Sequence, residues 1–195
     1  MDKGIKMERK YKVKMPTKST LKNRKSTINN AFVYSIMPWE KLTEEEYKNI
    51  CKELKIKENQ CAYCLKENAT TMDHLNGLVN NREHSGFYTE KNNLVPCCSH
   101  CNSSKGNKTF ENWYTDDRFD EIGITKEKMQ QRRKIIYEYM KNNPARKLNL
   151  KQILGKKDYE KYIMMKNELL ENIEECEKYC EKLNKKINEQ KEDWK

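Results

Sequence analysis

The sequence has no long apolar run, and only 35% of its 195 residues are hydrophobic. A membrane-spanning helix needs about 20 consecutive apolar residues, and the chain shows no signal peptide. We therefore expect a soluble, cytoplasmic protein. Charged residues make up 36% of the chain, which leaves little material for a large hydrophobic core. Small domains with this shortage are commonly stabilised by a bound metal ion.

Acidic residues are scarce at the amino end of the chain. Residues 1–26 contain ten Lys or Arg and two acids, whereas the rest of the chain contains thirty basic and twenty-eight acidic groups. This composition predicts an irregular basic arm over residues 1–26. Such an arm binds a phosphate backbone by releasing its counterions. A disordered, solubilising tail is the alternative interpretation.

Cysteine, in contrast, is abundant and regularly spaced. Cys61 and Cys64 form one C-x-x-C pair, and Cys98 and Cys101 form a second. A two-residue spacer allows a tight turn to direct both sulfurs at one ion, so the two pairs predict a tetrahedral four-thiolate zinc site. Cys97, separated from Cys101 by three residues, offers a competing pair, but Cys98 repeats the spacing of the first pair and is preferred. Disulfides are disfavoured in a cytosolic chain.

Polar side chains that can bind metal or move protons lie between and after these pairs. They are Asp73, His74, Asn93, Asn102 and Lys105. Histidine is rare in this chain, with three in all, and imidazole titrates nearest to neutral pH. His74 is therefore the best candidate for a general base, and Asp73 and Asn102 offer hard oxygens for an ion of the Mg²⁺ class.

The order of these residues over about 58–114 resembles the HNH, or ββα-metal, endonucleases. Asn102 stands where many members have His, so the pattern is an HNN variant. The resemblance implies an α+β fold with a small zinc-stabilised ββα-metal core, inside a nuclease domain with flanking helices over residues 27–145. It also implies that Asp73 and Asn102 bind catalytic Mg²⁺, Mn²⁺ or a similar ion, and that His74 activates water.

The same resemblance assigns two supporting roles. Asn93 is expected to orient the loop after His74 through hydrogen bonds to the backbone. Lys105, near the start of a helix, is a candidate phosphate contact, as are Arg132 and Arg133 in a basic cluster farther along the chain. For the arginines, ordinary surface charge is the competing interpretation.

The resemblance therefore predicts a metal-dependent DNA endonuclease that hydrolyses phosphodiester bonds with a His-activated water. Its small size and basic arm suit restriction or phage defence. A mobile-element homing enzyme or a phage-encoded nicking nuclease is the alternative. Two hypotheses assign the protein to other functional classes. One is a non-catalytic zinc knuckle that only binds nucleic acid, and the other is an interaction protein whose coiled coil recruits a partner nuclease.

Local patterns predict several helices and strands. Thr43 and Glu46 form a capping box, which predicts a helix that continues to about residue 57. We expect strands at 69–75 and 94–98 joined by a polar loop, then a helix starting near 99–102. A further helix is expected over residues 126–141.

The last segment, residues 146–195, has a different pattern. Apolar residues alternate at spacings of three and four, which predicts one long coiled-coil-like helix. The positions are Tyr162, Leu169, Ile173, Cys176, Cys180, Leu183, Ile187 and Trp194, interrupted by Lys166 and Gln190. This seam predicts a homodimer or a partner protein bound through residues 158–194, and folding back onto the helix at 126–141 is the alternative.

Overall fold

A computed structural model describes residues 16–191 of the chain. These residues form mixed helix and small-sheet structure, which confirms the predicted α+β class. The helices are α1 (Leu21–Tyr34), α2 (Glu44–Glu53), α3 (Ser99–Lys105), α4 (Phe110–Trp113), α5 (Phe119–Ile122), α6 (Lys126–Asn142) and α7 (Leu150–Gln190). The strands are β1 (Thr71–His74), β2 (Val79–Asn80), β3 (Glu83–His84) and β4 (Leu94–Cys97). Among the described residues, no helix combines the length and apolar character that crossing a membrane requires.

Strands β1 and β4 pair antiparallel, and α3 follows β4 directly. The register sets Asp73 opposite Val95 and His74 opposite Leu94. The helix begins where Cys98 accepts a hydrogen bond from the Cys101 N–H at its amino end. This ββα unit matches the predicted core, and both strands lie where the sequence predicted them.

The main core surrounds this unit and is built from side chains of the two C-x-x-C pairs and of the helices that follow. Its largest fully buried members are aromatic: Tyr63, Phe110, Trp113 and Tyr114. Tyr63 packs edge-on against Trp113, with ring centroids 4.9 Å apart. Aromatic rings bury a large area per residue, so a few of them stabilise a chain that has little other apolar material.

The helix ahead of the core begins as predicted. Thr43 accepts a hydrogen bond from the Glu46 N–H, and the Glu46 side chain accepts one from the Thr43 N–H, which completes the capping box of α2. This helix ends at Glu53, four residues before the predicted end. Leu54 caps it, and Lys55 then takes a positive φ of 53° that no helix interior allows.

Two predictions about irregular segments are corrected. Helix α1 begins at Leu21, so the last part of the arm predicted over residues 1–26 is helical; residues 1–15 lie outside the described part of the chain. The polar loop between β1 and β4 contains a short antiparallel hairpin, in which Val79 pairs with His84. Strands of two residues are too short to leave an alternating pattern in the sequence.

The described residues group into two compact units. One is Ser26–Glu168, and the other combines the described parts of Met1–Lys25 and Leu169–Lys195. The first unit therefore includes the beginning of α7. Helix α7 is interrupted at Gly155, whose φ of 75° and ψ of 165° are not helical.

Part of the predicted seam on α7 is used within the first unit. Tyr162 stacks on Phe32 of α1 with ring centroids 5.2 Å apart. Lys166 is 1% exposed, pairs with Glu83 and donates to the Arg82 carbonyl at 3.1 Å. The beginning of the seam thus packs on α1 and the β2–β3 hairpin, whereas the alternative placed it on the helix at 126–141.

Candidate functional site

Four cysteines converge at the junction of the two C-x-x-C turns and α3. The sulfurs of Cys61, Cys64, Cys98 and Cys101 all lie within 4.8 Å of one another, and all four residues are buried. A tetrahedral ion with sulfur bonds of about 2.3 Å would hold its ligands about 3.8 Å apart. The Sγ atoms of Cys64 and Cys98 are 3.8 Å apart. The cluster can therefore hold one metal ion. Of the two cysteines that could complete the second pair, Cys98 belongs to the cluster and Cys97 does not.

The backbone around the cluster explains why these four side chains meet. The Ala62 N–H donates to the Pro96 carbonyl at 2.8 Å, which fixes the first turn against β4. Leu65 takes a positive φ of 62°, so the chain reverses directly after Cys64. Hydrogen bonds from Cys101 and Cys64 lower the pKa of the Cys61 thiol. Hydrogen bonding to Cys61 in turn raises the pKa of the Cys101 thiol, so these contacts favour the thiolate form at Cys61 and disfavour it at Cys101.

Asp73 lies on β1 and forms a buried charge pair. Its Oδ2 accepts a 2.6 Å hydrogen bond from the Tyr63 hydroxyl and lies 3.2 Å from the Lys105 ammonium. Lys105 also donates to the His74 carbonyl. Asp73 and Lys105 are 4% and 1% exposed. Burial raises the pKa of Asp73 and lowers that of Lys105, although each charge favours ionisation of the other.

The structure corrects the expectation that Lys105 contacts phosphate. Its ammonium is enclosed between Asp73 and the His74 backbone, because α3 packs directly on β1. Arg132 is corrected in the same way: it is 3% exposed and donates to the carbonyls of Ala62 and Leu54. Arg133 is half-buried, pairs with Asp116 at 2.8 Å and also donates to a backbone carbonyl.

We expect Asp73→Ala to lower the free energy of unfolding by about 3–5 kcal/mol, because it leaves the Lys105 ammonium buried and without its partner. Lys105→Met in the same chain removes that uncompensated charge. The double variant should therefore regain a large part of the stability lost in the single variant. Urea unfolding of the two single variants and the double variant, at fixed metal content, measures this coupling. If the stability lost in the double variant equals the sum of the losses in the two single variants, the pair does not stabilise the fold.

His74 faces the opposite side of β1, as consecutive strand residues do. Its Nε2 lies 3.0 Å from the Thr89 hydroxyl. Burial lowers the pKa of His74 to about 4, and the positive charge of Lys105 adds to the shift. The imidazole is therefore neutral at physiological pH and has a lone pair that can accept a proton.

Asn93 is completely buried and joins the two sides of the loop between β1 and β4. Its Oδ1 accepts from the Asn76 N–H at 2.8 Å, and its Nδ2 donates to the carbonyls of Asn76 and Tyr88 at 3.1 and 3.2 Å. The Leu75 N–H donates to the Asn93 carbonyl at 2.9 Å. These bonds fix the backbone that directly follows His74.

Asn102 lies on the first turns of α3, on the face of β1 that also carries Asp73. Its Nδ2 donates to the Thr71 hydroxyl at 3.1 Å. Thr71 and Asp73 are two residues apart on the strand, so their side chains share a face. A carboxylate and an amide oxygen on one face are a donor set that suits a hard divalent cation. Asp73 and Asn102 are the residues that could hold it. The Asp73 oxygens already contact the Lys105 ammonium and the Tyr63 hydroxyl, so a cation would have to displace Lys105 from the carboxylate.

Two residues next to the site escaped prediction from the sequence. Tyr63 reaches Asp73 from inside the first C-x-x-C turn, where the middle residues looked like spacers. Thr89 reaches His74 from fifteen positions away, and nothing in the local sequence marks it. The sequence offers one signal for Tyr63: a large aromatic residue between two metal-binding cysteines is expected to pack in the core when the turn itself is buried.

One comparison with known proteins covers the segment that contains this site. Residues 61–108 match the model of the HNH endonuclease family, which confirms the resemblance drawn from the sequence. The match supports a nuclease-type function and a nucleic-acid substrate. Searches of curated proteins and of solved structures found no match.

Proposed function

We propose that this protein is a divalent-metal-dependent DNA endonuclease. The observation that carries the proposal is the arrangement of β1 and α3 within the segment that matches HNH endonucleases. A neutral His74 lies on one face of the strand, and Asp73 with Asn102 lies on the other. A divalent ion held by Asp73 and Asn102 would attract a phosphate to the end of this strand, where His74 is the nearest proton acceptor.

Each residue of the site has a separate role in the proposed reaction. With Nε2–H bonded to the Thr89 hydroxyl, Nδ1 of His74 carries the lone pair that takes a proton from the attacking water. Asn93 holds the backbone after His74 and so fixes the approach of the imidazole. Asp73 and Asn102 would bind a Mg²⁺-class ion. When bound, that ion supplies charge neutralisation at the phosphate and stabilisation of the leaving 3′ oxygen.

Zinc is the metal we propose for the four cysteines, in a structural role. Four buried thiolates at this spacing complete a tetrahedral shell and leave no open position for substrate. The cysteines must remain reduced to bind it, which fits a cytoplasmic protein. Catalysis is thereby assigned to the second, oxygen-ligated ion.

Cleavage of supercoiled plasmid DNA, with analysis of the ends, tests the proposed activity. We expect nicking with 5′-phosphate and 3′-hydroxyl ends, which DNA ligase can reseal. A parallel RNA substrate determines whether the activity is selective for DNA. Binding without any cleavage would instead favour the non-catalytic zinc knuckle.

The proposed biological role is restriction or phage defence, with mobile-element homing or a phage-encoded nicking nuclease as the alternative. Phage plating on cells that express the wild-type protein or His74→Ala separates these roles. If the role is defence, cells that express the wild-type protein should give fewer plaques than cells that express His74→Ala. Equal plaque numbers would favour the alternative.

A homodimer remains our proposal for the last helix, restricted to its end. Cys176, Cys180, Leu183 and Ile187 continue the seam and are exposed, with Ile187 at 53%. A single ββα site cuts one strand, so a pair of subunits would suit a double-strand break. The variant Leu183→Glu/Ile187→Glu is expected to sediment as a monomer while wild type sediments as a dimer. If both proteins sediment as monomers at micromolar concentration, the dimer is excluded.

A further inference from the structure

Three short segments meet beside His74 and form a small sheet. Trp39 bridges to Thr89 in parallel, and Phe87 bridges to Lys147 in antiparallel orientation. The Glu40 N–H donates to the Thr89 carbonyl at 2.8 Å. On the other side, the Leu148 N–H donates to the Gly86 carbonyl at 2.9 Å. The backbone that carries Trp39 is therefore hydrogen-bonded to the segment of Thr89, and that segment is in turn held by residues 147–148 on its other side.

The alternation of strand side chains assigns each residue of this sheet to a face. Bridged residues share a face and successive residues alternate. Trp39, Phe87, Thr89 and Lys147 therefore share one face, and Glu40, Tyr88, Glu90 and Arg146 share the other.

The contacts agree with this assignment. Arg146 donates to Glu90 at 3.0 Å and to Glu40 at 2.6 Å, and its guanidinium carbon lies 5.2 Å from the centre of the Tyr88 ring. Glu90 is 1% exposed. On the second face Tyr88 and Glu90 are buried and Arg146 is engaged by both carboxylates, so the first face is the one we consider for a ligand.

The face that carries Trp39 and Thr89 extends to His74, the proposed general base. Thr89 contacts the His74 imidazole, and Trp39 lies one strand away from Thr89, about 5 Å by backbone spacing. The Trp39 side chain is 69% exposed, although Trp113 in the same domain is 0% exposed. The Lys147 ammonium lies 5.5 Å from the centre of the half-buried Phe87 ring. The face therefore combines an exposed indole with a cation that lies over an aromatic ring.

We propose that this face binds an unpaired nucleobase next to the scissile phosphate, with Trp39 as the stacking platform and Lys147 as a phosphate contact. The inference rests on the proposed nuclease function and names the class of its substrate. An aromatic side chain on a fixed backbone stacks on any base, because every base has a π face. Within a continuous duplex both faces of each base are covered by neighbouring pairs. Only a single strand, bulge, gap or extruded base exposes a face to Trp39.

Binding of fluorescein-labelled oligonucleotides, measured by anisotropy without added Mg²⁺, tests this assignment. Single-stranded DNA, single-stranded RNA and the matching DNA duplex are compared. We expect Trp39→Ala to weaken single-strand binding by about 5- to 100-fold and duplex binding much less. Trp39→Phe, which keeps an aromatic face, should retain most of the affinity. The DNA and RNA arms show which unpaired strand the face prefers.

Two further variants distinguish stacking from charge and from general surface effects. Lys147→Ala should weaken binding to all three ligands alike and reduce the salt slope by about 1. Tyr179→Ala removes an aromatic residue of similar exposure, 61%, outside this unit and should change nothing.

The outcomes separate this inference from the proposed function. If wild type cleaves DNA while Trp39→Ala binds every ligand within twofold of it, the stacking face is wrong and the nuclease assignment stands. A loss on duplex equal to the loss on single strands overturns the unpaired-base assignment. If wild type neither binds nor cuts any nucleic acid, both fail.

Discussion

His74→Ala is expected to lower the single-turnover rate of DNA cleavage by about 10²- to 10⁴-fold, the usual contribution of a positioned general base. The imidazole is half-buried and is kept neutral by burial and by the charge of Lys105. It therefore has a lone pair available at neutral pH. Removing the ring leaves no other histidine on β1 to replace it.

His100→Ala provides the matched control for that variant. His100 is exposed on α3 and bonds the Glu121 carbonyl at 3.1 Å. Its loss should leave the cleavage rate and the metal content unchanged. Circular dichroism and zinc content of both variants should equal those of wild type. If His74→Ala cuts at the wild-type rate, another group is the base.

Cys101→Ser is expected to abolish the folded domain. Cys101 is 0% exposed at the centre of the four-sulfur cluster, and its loss leaves three ligands in a buried space. Structural zinc contributes about 10–16 kcal/mol of apparent binding free energy in small metal-dependent domains, whereas whole domains are stable by about 5–15 kcal/mol. The variant should therefore lose zinc, show no cooperative unfolding transition and aggregate or be degraded on expression.

Cys97→Ala is the matched control, because Cys97 is equally buried but lies outside the cluster. This variant should retain one zinc per chain and a cooperative unfolding transition, at somewhat lower stability because of the small cavity. Comparing Cys97→Ala with Cys98→Ala also decides between the two spacings of the second cysteine pair. Zinc loss in Cys97→Ala together with zinc retention in Cys98→Ala would reverse the assignment.

Much of the central fold was predictable, since its signals are local. The spacing of the cysteines, the capping box at Thr43 and the polar residues after β1 each depend on a few adjacent positions. They gave the order β1, β4 and α3 with boundaries close to those observed. The choice of Cys98 over Cys97 also followed from spacing alone.

Charged residues were the main source of error, for one physical reason. Lys105 and Arg132 were interpreted as exposed, because an isolated charge is costly to bury. Both are buried because partners distant in sequence compensate them: Asp73 for Lys105, and the carbonyls near the first cysteine pair for Arg132. Local sequence carries no information about such partners.

The aromatic face beside the site was missed for a related reason. Trp39, Phe87 and Lys147 are separated by up to about a hundred residues and come together only through two isolated bridges. A single bridge has no periodicity to detect. The exposure of Trp39 becomes informative only when Thr89, its bridge partner, is seen to contact His74.

The most direct test of the central claim is to follow zinc content and plasmid cleavage on the same wild-type sample while Mg²⁺ is withdrawn and restored. We assign zinc to the buried cysteines and catalysis to a second ion at Asp73 and Asn102. We therefore expect one zinc per chain throughout, no cleavage after Mg²⁺ is removed, and full recovery when Mg²⁺ is returned. Cleavage that continues without Mg²⁺, or that follows the zinc content instead, would contradict this assignment.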